Sequence, residues 1–265
     1  MAPRAKRRLG QHFLTDPRLL GRIADSLAVE PGDTVLEIGP GPGGLTAVLA
    51  ARAGRLVAIE KDRDLVPALR ERFPSASIVE GDALELDWRA VAGERFLVAG
   101  NIPYNITSPL IDKALEPPPP ARIVFLVQKE VAERVTAVSG TAVYGALSVG
   151  VQSVARAERL FTVPAGAFQP RPKVDSAVLR LTPLERPLVT PAEQGTFRRL
   201  VVGMFGFRRK QMVRGLRELT GWDVDRTGAT LARAGIPPEV RPEAVDTAAF
   251  ARLLRALVDG GWAAR

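Results

Sequence analysis

A chain of 265 residues, 46% hydrophobic and 25% charged, carries enough apolar material for one full core and a smaller second one. It has no cysteine and a single histidine, which excludes disulfides and thiolate chemistry and leaves the usual zinc-ligand sets without members. The net charge of +8 points to a polyanionic partner, although charge alone does not separate nucleic acid from an anionic lipid surface.

The chain opens on MAPRAKRRLG, a basic arm over residues 1–10 built from Arg4, Lys6, Arg7 and Arg8. No apolar stretch follows it, and no uninterrupted apolar run is long enough to span a bilayer, so a cytoplasmic protein without a membrane partner is expected. From Thr34 to Leu181, short apolar or β-branched runs (TVLEIG, RLVAIE, SIVEG, RFLVAGN, RIVFLVQ, AVLRL) alternate with segments of helical spacing such as LTAVLAARA and LVPALRERF. That alternation predicts an α/β fold, an open doubly wound sheet with helices on both faces.

In VLEIGPGPGGLT, a strand from Val35 to Ile38 leads to a helix beginning near Leu45, and Gly39, Gly41 and Gly44 satisfy the G-x-G-x-x-G pattern. A turn without Cβ atoms lets a nucleotide-like ligand lie against the backbone and the helix N-terminus. The pattern suits a dinucleotide equally well. Ligands of open α/β sheets bind beyond the carboxyl ends of the strands, so the residues that follow successive strands should line one crevice. Glu60 ends RLVAIE, where a carboxylate can accept both hydroxyl hydrogens of a ribose. Asp82 follows SIVEG, where it can accept from an adenine amino group, and Asn101 follows RFLVAG. One carboxylate after a strand is more often a turn residue or helix cap, but three polar residues in register behind a glycine turn are harder to dismiss.

Asn101-Ile102-Pro103-Tyr104 comes next. The asparagine offers one acceptor and two donors, the proline fixes the chain direction, and the tyrosine supplies a flat face on which a base can stack for roughly 1–3 kcal/mol. Four prolines, Pro117 to Pro120, read as a stiff loop before a strand, and TPLERPLVTPAEQ reads as a linker. The division expected is therefore a catalytic domain over 1–185 and a small all-helical domain over 186–265, with FRRLVVGMF, QMVRGLREL, TGATLARAG and TAAFARLLRALV as its helices. From Arg186 to Arg265 there are 14 Lys and Arg against 8 Asp and Glu, so basicity sits in the arm and this second domain, around a near-neutral body. Lys210, Arg214 and Arg217 are spaced to share one helical face opposite Met212, Val213 and Leu216, and with Arg208 and Arg209 they are the candidate RNA contacts. A merely solvated helix face would carry the same charges.

Taken together, GQHFLTD, VLEIGPGPGGLT, AIEKD, EGDALELD, GNIPYNITSPL, FLVQKEVAERV, YGALSV, FQPRPKVDSAVLRL and FGFRRKQMVRGL closely resemble the ribosomal RNA adenine N6,N6-dimethyltransferases over nearly the whole chain. The resemblance implies a Rossmann-like methyltransferase domain of about seven strands followed by a helical domain, with S-adenosylmethionine as methyl donor. Its implied substrate is two adjacent adenines near the 3′ end of 16S rRNA, within the small ribosomal subunit or its precursor. By position, it implies that His12 and Leu14 close over the donor, that Gly39 lies beside the donor's methionine portion, and that Glu60 holds the ribose and Asp82 the adenine. It places methyl transfer at Asn101, with the Ile102 carbonyl as a second acceptor, Tyr104 stacked on the target base and Phe168 on the base's other face. His12 stands where many relatives have asparagine, and Gly206 replaces an asparagine of the family's basic segment. A nicotinamide-dependent oxidoreductase would explain the glycine turn and Glu60 but not Asn101 to Tyr104. A non-catalytic assembly factor would need only the basic surfaces, and the resistance methyltransferases of large-subunit rRNA share the core motifs. The FGFRRKQMVRGL segment favours the small-subunit branch. No exposed heptad is present, so a monomer is expected.

Overall fold

The computed structural model describes residues 10–263, so the basic arm at Arg4, Lys6, Arg7 and Arg8 lies outside the described residues. The chain divides into two compact units. One runs to Ala132 and takes in Ala157–Pro183; the other comprises Glu133–Arg156 and the chain from Leu184 onward.

In the first unit, β1 (Phe13–Leu14) leads into α1 (Pro17–Leu27), followed by β2 (Thr34–Ile38), α2 (Gly44–Ala50), β3 (Arg55–Glu60), α3 (Val66–Arg72), β4 (Ser77–Glu80), α4 (Trp88–Ala92), β5 (Leu97–Asn101), α5 (Thr107–Ala114) and β6 (Arg122–Gln128). Asp16 caps α1 by accepting from the amides of Arg18 and Leu19, with Pro17 at the first helical position. The buried Leu20, Ile23, Ala24 and Leu27 then recur at helical spacing on its inner face. After α6 (Lys129–Val135) and α7 (Ala146–Gln152), the sheet resumes with β7 (Ala155–Val163) and closes with β9 (Ser176–Pro183), while the short β8 (Phe168–Gln169) pairs with β1.

The seven-stranded sheet has the order β4-β3-β2-β5-β6-β9-β7. The strands from β4 to β6 are parallel, and β9 runs antiparallel to β6. Burial on both faces explains why β6 reads as a continuous apolar run, Ile123 to Val127 being at most 1% exposed. Sequence order reverses at β2, which lies between β3 and β5, and this opens a crevice at the carboxyl ends of these strands.

The second unit holds α8 (Pro191–Gly206), α9 (Met212–Thr220), α10 (Val224–Ala234) and α11 (Thr247–Asp259). The Thr190 amide donates to Glu193 Oε2 at 2.7 Å, a capping-box contact that starts α8 inside the segment expected to be a linker. The second unit begins at Leu184, beside the expected boundary at 185/186, and differs from the expected division in also taking in Glu133–Arg156. Tyr144 and Val149 belong to the same buried cluster as Phe197, Met204, Leu216, Phe250 and Leu254. The Tyr144 hydroxyl donates to the Val245 carbonyl at 3.0 Å. An earlier segment thus completes the helical core, a long-range pairing that the proline-rich stretch before α8 does not announce.

Candidate active site

The glycine turn after β2 provides the floor of a cavity in the first unit. Gly39 and Gly41 have φ of +67° and +57°, in the left-handed region, and a Cβ on Gly41 would stand 3.1 Å from two carbons of the Phe13 ring. Gly41 also has a partner to serve: its amide donates to Glu60 Oε2 at 2.9 Å, while the Asp62 amide donates to Glu60 Oε1 at 2.7 Å. Glu60 is 4% exposed, and burial holds its carboxyl above the ordinary range, against the pull of these backbone amides.

Asp82 is held differently. Its Oδ2 is paired with the Lys61 ammonium and its Oδ1 accepts from the Leu84 amide at 3.0 Å. Burial pushes this carboxyl up, but Lys61, the Leu84 amide and the charge of Lys113 outweigh it and hold the group below the usual carboxylate range. Asp82 is thus an anionic acceptor at neutral pH whose lone pairs are shared with Lys61.

At the end of β5, Asn101 Nδ2 donates to the backbone carbonyl of His12 at 2.7 Å, which leaves Oδ1 as the acceptor that the side chain can offer to a ligand. The Ile102 amide is committed to the Leu126 carbonyl at 3.0 Å. Tyr104 is half-buried; its hydroxyl lies 2.8 Å from Ser176 Oγ, and the His12 ring stacks on it with centroids 5.5 Å apart and planes at 27°. His12 Nδ1 lies 2.8 Å from the Pro170 carbonyl. The contact of position 12 with Asn101 is made by the backbone carbonyl, so it does not depend on which side chain stands there.

His12, Leu14, Gly39, Glu60, Asp82, Asn101, Ile102 and Tyr104 all line this one cavity. Phe168 does not. It is 5% exposed, its backbone pairs opposite Leu14, and its ring belongs to the buried cluster with Leu20, Val163 and Val178. Its expected place over the target base is corrected to one in the core, because successive strand residues point to opposite faces and its neighbour Gln169 takes the exposed side. Lys210 also needs correction. It precedes Gln211, the cap of α9, so it does not share a helical face with Arg214 and Arg217. Its ammonium pairs with Glu218, and the Arg208 guanidinium donates to the Ala142 carbonyl at 2.6 Å. Arg209, Arg214 and Arg217 are exposed, and all five belong to the helical unit.

Two residues that sequence reasoning missed complete the cavity. Lys61 was in view beside Glu60 in AIEKD. Glu37 was hidden in an apolar strand: it is 1% exposed, lines the cavity, and its Oε2 lacks a hydrogen-bond partner. Burial, reinforced by the negative Glu60 and only partly opposed by the nearby Thr46 hydroxyl, pushes its carboxyl up to about 8. A bare glycine floor, two acceptor carboxylates at the neighbouring ends of β3 and β4, and the orphaned buried oxygen of Glu37 on β2 fit a nucleoside with an amino-acid tail.

The family model described as ribosomal RNA adenine dimethylase matches residues 2–255. The chain belongs to this family. Membership makes it an S-adenosylmethionine-dependent ribosomal RNA adenine dimethyltransferase. It is 44% identical to a ribosomal RNA small subunit methyltransferase A of Geobacter metallireducens over 96% of each chain. Among solved structures, a dimethyladenosine transferase from Plasmodium falciparum superposes with a TM-score of 0.84 at 26% identity, covering 94% of this chain and 98% of that one. The 23S rRNA methyltransferase ErmE superposes with a TM-score of 0.73 at 31% identity, covering 93% and 99%. Among the described residues no helix of the enzyme is long and apolar enough to cross a membrane, and no group of three or more His, Asp or Glu could hold a metal ion.

Proposed function

We propose that the enzyme dimethylates two adjacent adenines near the 3′ end of 16S rRNA, acting as a cytoplasmic monomer on the small ribosomal subunit or its precursor. The observation that carries the chemistry is the anchored Asn101 amide, whose Nδ2 is fixed on the His12 carbonyl, which leaves Oδ1 as the acceptor it can offer to a base. The 44% identity to a small-subunit methyltransferase over nearly the full length supports the choice of subunit.

Gly39 and Gly41 would let the donor lie against the backbone, Glu60 would accept from its ribose hydroxyls, and Asp82, in exchange for part of its bond to Lys61, would accept from its adenine amine. His12 and Leu14 would cover it. S-adenosylmethionine supplies an electrophilic methyl on a good leaving group. The residues then have one main task, to present adenine N6 in line at about 3–3.5 Å. Adenine N6 is a poor nucleophile because its lone pair is delocalised into the ring. Asn101 Oδ1 and the Ile102 carbonyl accept from its hydrogens and draw the nitrogen toward tetrahedral geometry. Tyr104, held by Ser176 and by His12 on one face, offers its other face to the base. No general base is needed, since the methylated nitrogen loses its proton readily to water.

Asn101→Ala should abolish methyl transfer to undermethylated small subunits while donor affinity, measured by calorimetry, falls no more than several-fold. Transfer surviving above a tenth of the wild-type rate would remove Asn101 from this role. For RNA binding, the helical unit contributes Arg208, Arg209, Lys210, Arg214 and Arg217. Replacing Arg209, Arg214 and Arg217 together by Ala should weaken RNA binding and flatten its salt dependence by about 0.7–0.9 per lost phosphate contact. An unchanged salt slope would return these arginines to a solvated face.

A further inference from the structure

A second groove in the first unit shares Gly10, Gln11, His12 and Tyr104 with the donor cavity and is otherwise walled by Gln128 and the loop Pro170-Arg171-Pro172-Lys173-Val174. Three features mark it as built. First, the loop is secured on both sides. Before it, Gln169 pairs with Phe13 and the Pro170 carbonyl meets His12 Nδ1; after it, the Lys129 amide donates to the Asp175 carbonyl at 3.0 Å and the Ala165 amide to Asp175 Oδ1 at 2.9 Å. Two prolines within it restrict the backbone further. Second, the loop presents the exposed cations Arg171 and Lys173 at the groove. Third, Gln128 is the last residue of β6, half-buried, and its side-chain amide has no hydrogen-bond partner among the described residues, although it can make up to four such bonds. It stands directly across the sheet from Ser176, the residue that holds the Tyr104 hydroxyl, so the groove and the stacking ring are fixed by one pair of strands.

We propose that this groove holds the nucleotide next to the one being methylated, with Gln128 reading its base as adenine and Arg171 and Lys173 taking its phosphate. The proposal rests on the reading of the cavity as the site of adenine methylation. A single strand whose target base lies on Tyr104 must place a neighbour within one nucleotide's length of that ring, and the groove begins at the ring. A glutamine amide matches adenine in bidentate fashion, its Oε1 accepting from N6 and its Nε2 donating to a ring nitrogen; guanine presents O6 in place of the amine and breaks the pair. Two cations beside a neutral reading group suit one phosphate and one base. The pairing also has a chemical consequence for dimethylation of adjacent adenines. N6,N6-dimethyladenine has no N6 hydrogen, so an already modified neighbour would lose the bond to Oε1, and an unmodified neighbour is the preferred occupant.

The test compares kcat/KM on undermethylated small subunits whose RNA carries either adenine or guanine beside the target adenine. The wild-type enzyme should prefer adenine by about 5- to 150-fold, the discrimination typical of one bidentate pair. Gln128→Leu should bring the ratio within about 3-fold of unity with donor affinity unchanged, and Gln128→Glu, which keeps the shape but loses the donor, should also lower it. If Gln128→Leu discriminates as wild type does, or if wild type does not discriminate at all, the groove does not read this base. Loss of donor binding in Gln128→Leu would move the decision to Gln128→Glu, in which full discrimination by a donor-binding variant overturns the proposal. Failure of the underlying reading would look different: the wild-type enzyme would methylate neither RNA.

Discussion

Glu37, the penultimate residue of β2, should make the first unit less stable as pH rises, and Glu37→Gln should remove that dependence. Below about pH 4.5 the carboxyl is protonated whether the chain is folded or not. Between 4.5 and about 8 the unfolded chain has released the proton that the buried side chain retains, so the folded state binds more protons and the free energy of unfolding falls as pH rises. The slope is about 1.4 kcal/mol per pH unit, and the whole difference corresponds to roughly 5 kcal/mol, complete above pH 8. Glutamine has the same shape and no charge to lose. Its own unpartnered amide adds a constant cost that shifts the curve but not its slope. Urea unfolding at pH 5 to 9 can be followed by Trp88 fluorescence in a background of Trp222→Phe and Trp262→Phe, which confines the signal to the first unit. The variant should gain stability relative to its parent by several kcal/mol from pH 5 to 9. Parallel curves, within about 0.5 kcal/mol, would mean that Glu37 is ionised in the folded protein and that the reasoning from burial is wrong.

Phe168→Ala should cost about 3–5 kcal/mol of stability, as for a large core side chain, with little change in KM for RNA in the protein that remains folded; a selective loss of RNA affinity at unchanged stability would restore the residue to the substrate pocket. Gly41→Ala should weaken donor binding at least tenfold in calorimetry, because the residue has positive φ and its new methyl meets the Phe13 ring; wild-type affinity would show that the floor is not where the donor lies.

Much of the cavity could be read from sequence because strands expose their carboxyl ends on one edge. Once TVLEI, RLVAIE, SIVE and RFLVAGN were recognised as consecutive strands, Gly39, Glu60, Asp82 and Asn101 had to converge. What stayed hidden depended on direction and on long-range packing. Phe168 sits in a two-residue strand, too short for alternation to reveal that its ring faces inward while Gln169 faces outward. Lys210 carries the spacing of a helical residue because Gln211, the cap of α9, makes no side-chain capping bond, so nothing in the sequence marks the boundary before Met212. Asp16-Pro17 and Thr190-Pro191-Ala192-Glu193 are by contrast visible helix starts that could have located α1 and α8. Tyr144 and Val149 join a core formed mostly by residues fifty to a hundred positions later, which local pattern does not carry.

The most direct measurement is methyl transfer from labelled S-adenosylmethionine to undermethylated small and large ribosomal subunits, with mass spectrometry of the RNA fragments. The expected result is dimethyladenosine confined to two adjacent positions near the 3′ end of the small-subunit RNA. Label confined to the large subunit would contradict the choice of substrate, and no label in either subunit, from a protein that binds both donor and RNA, would contradict the assignment of catalysis to this site.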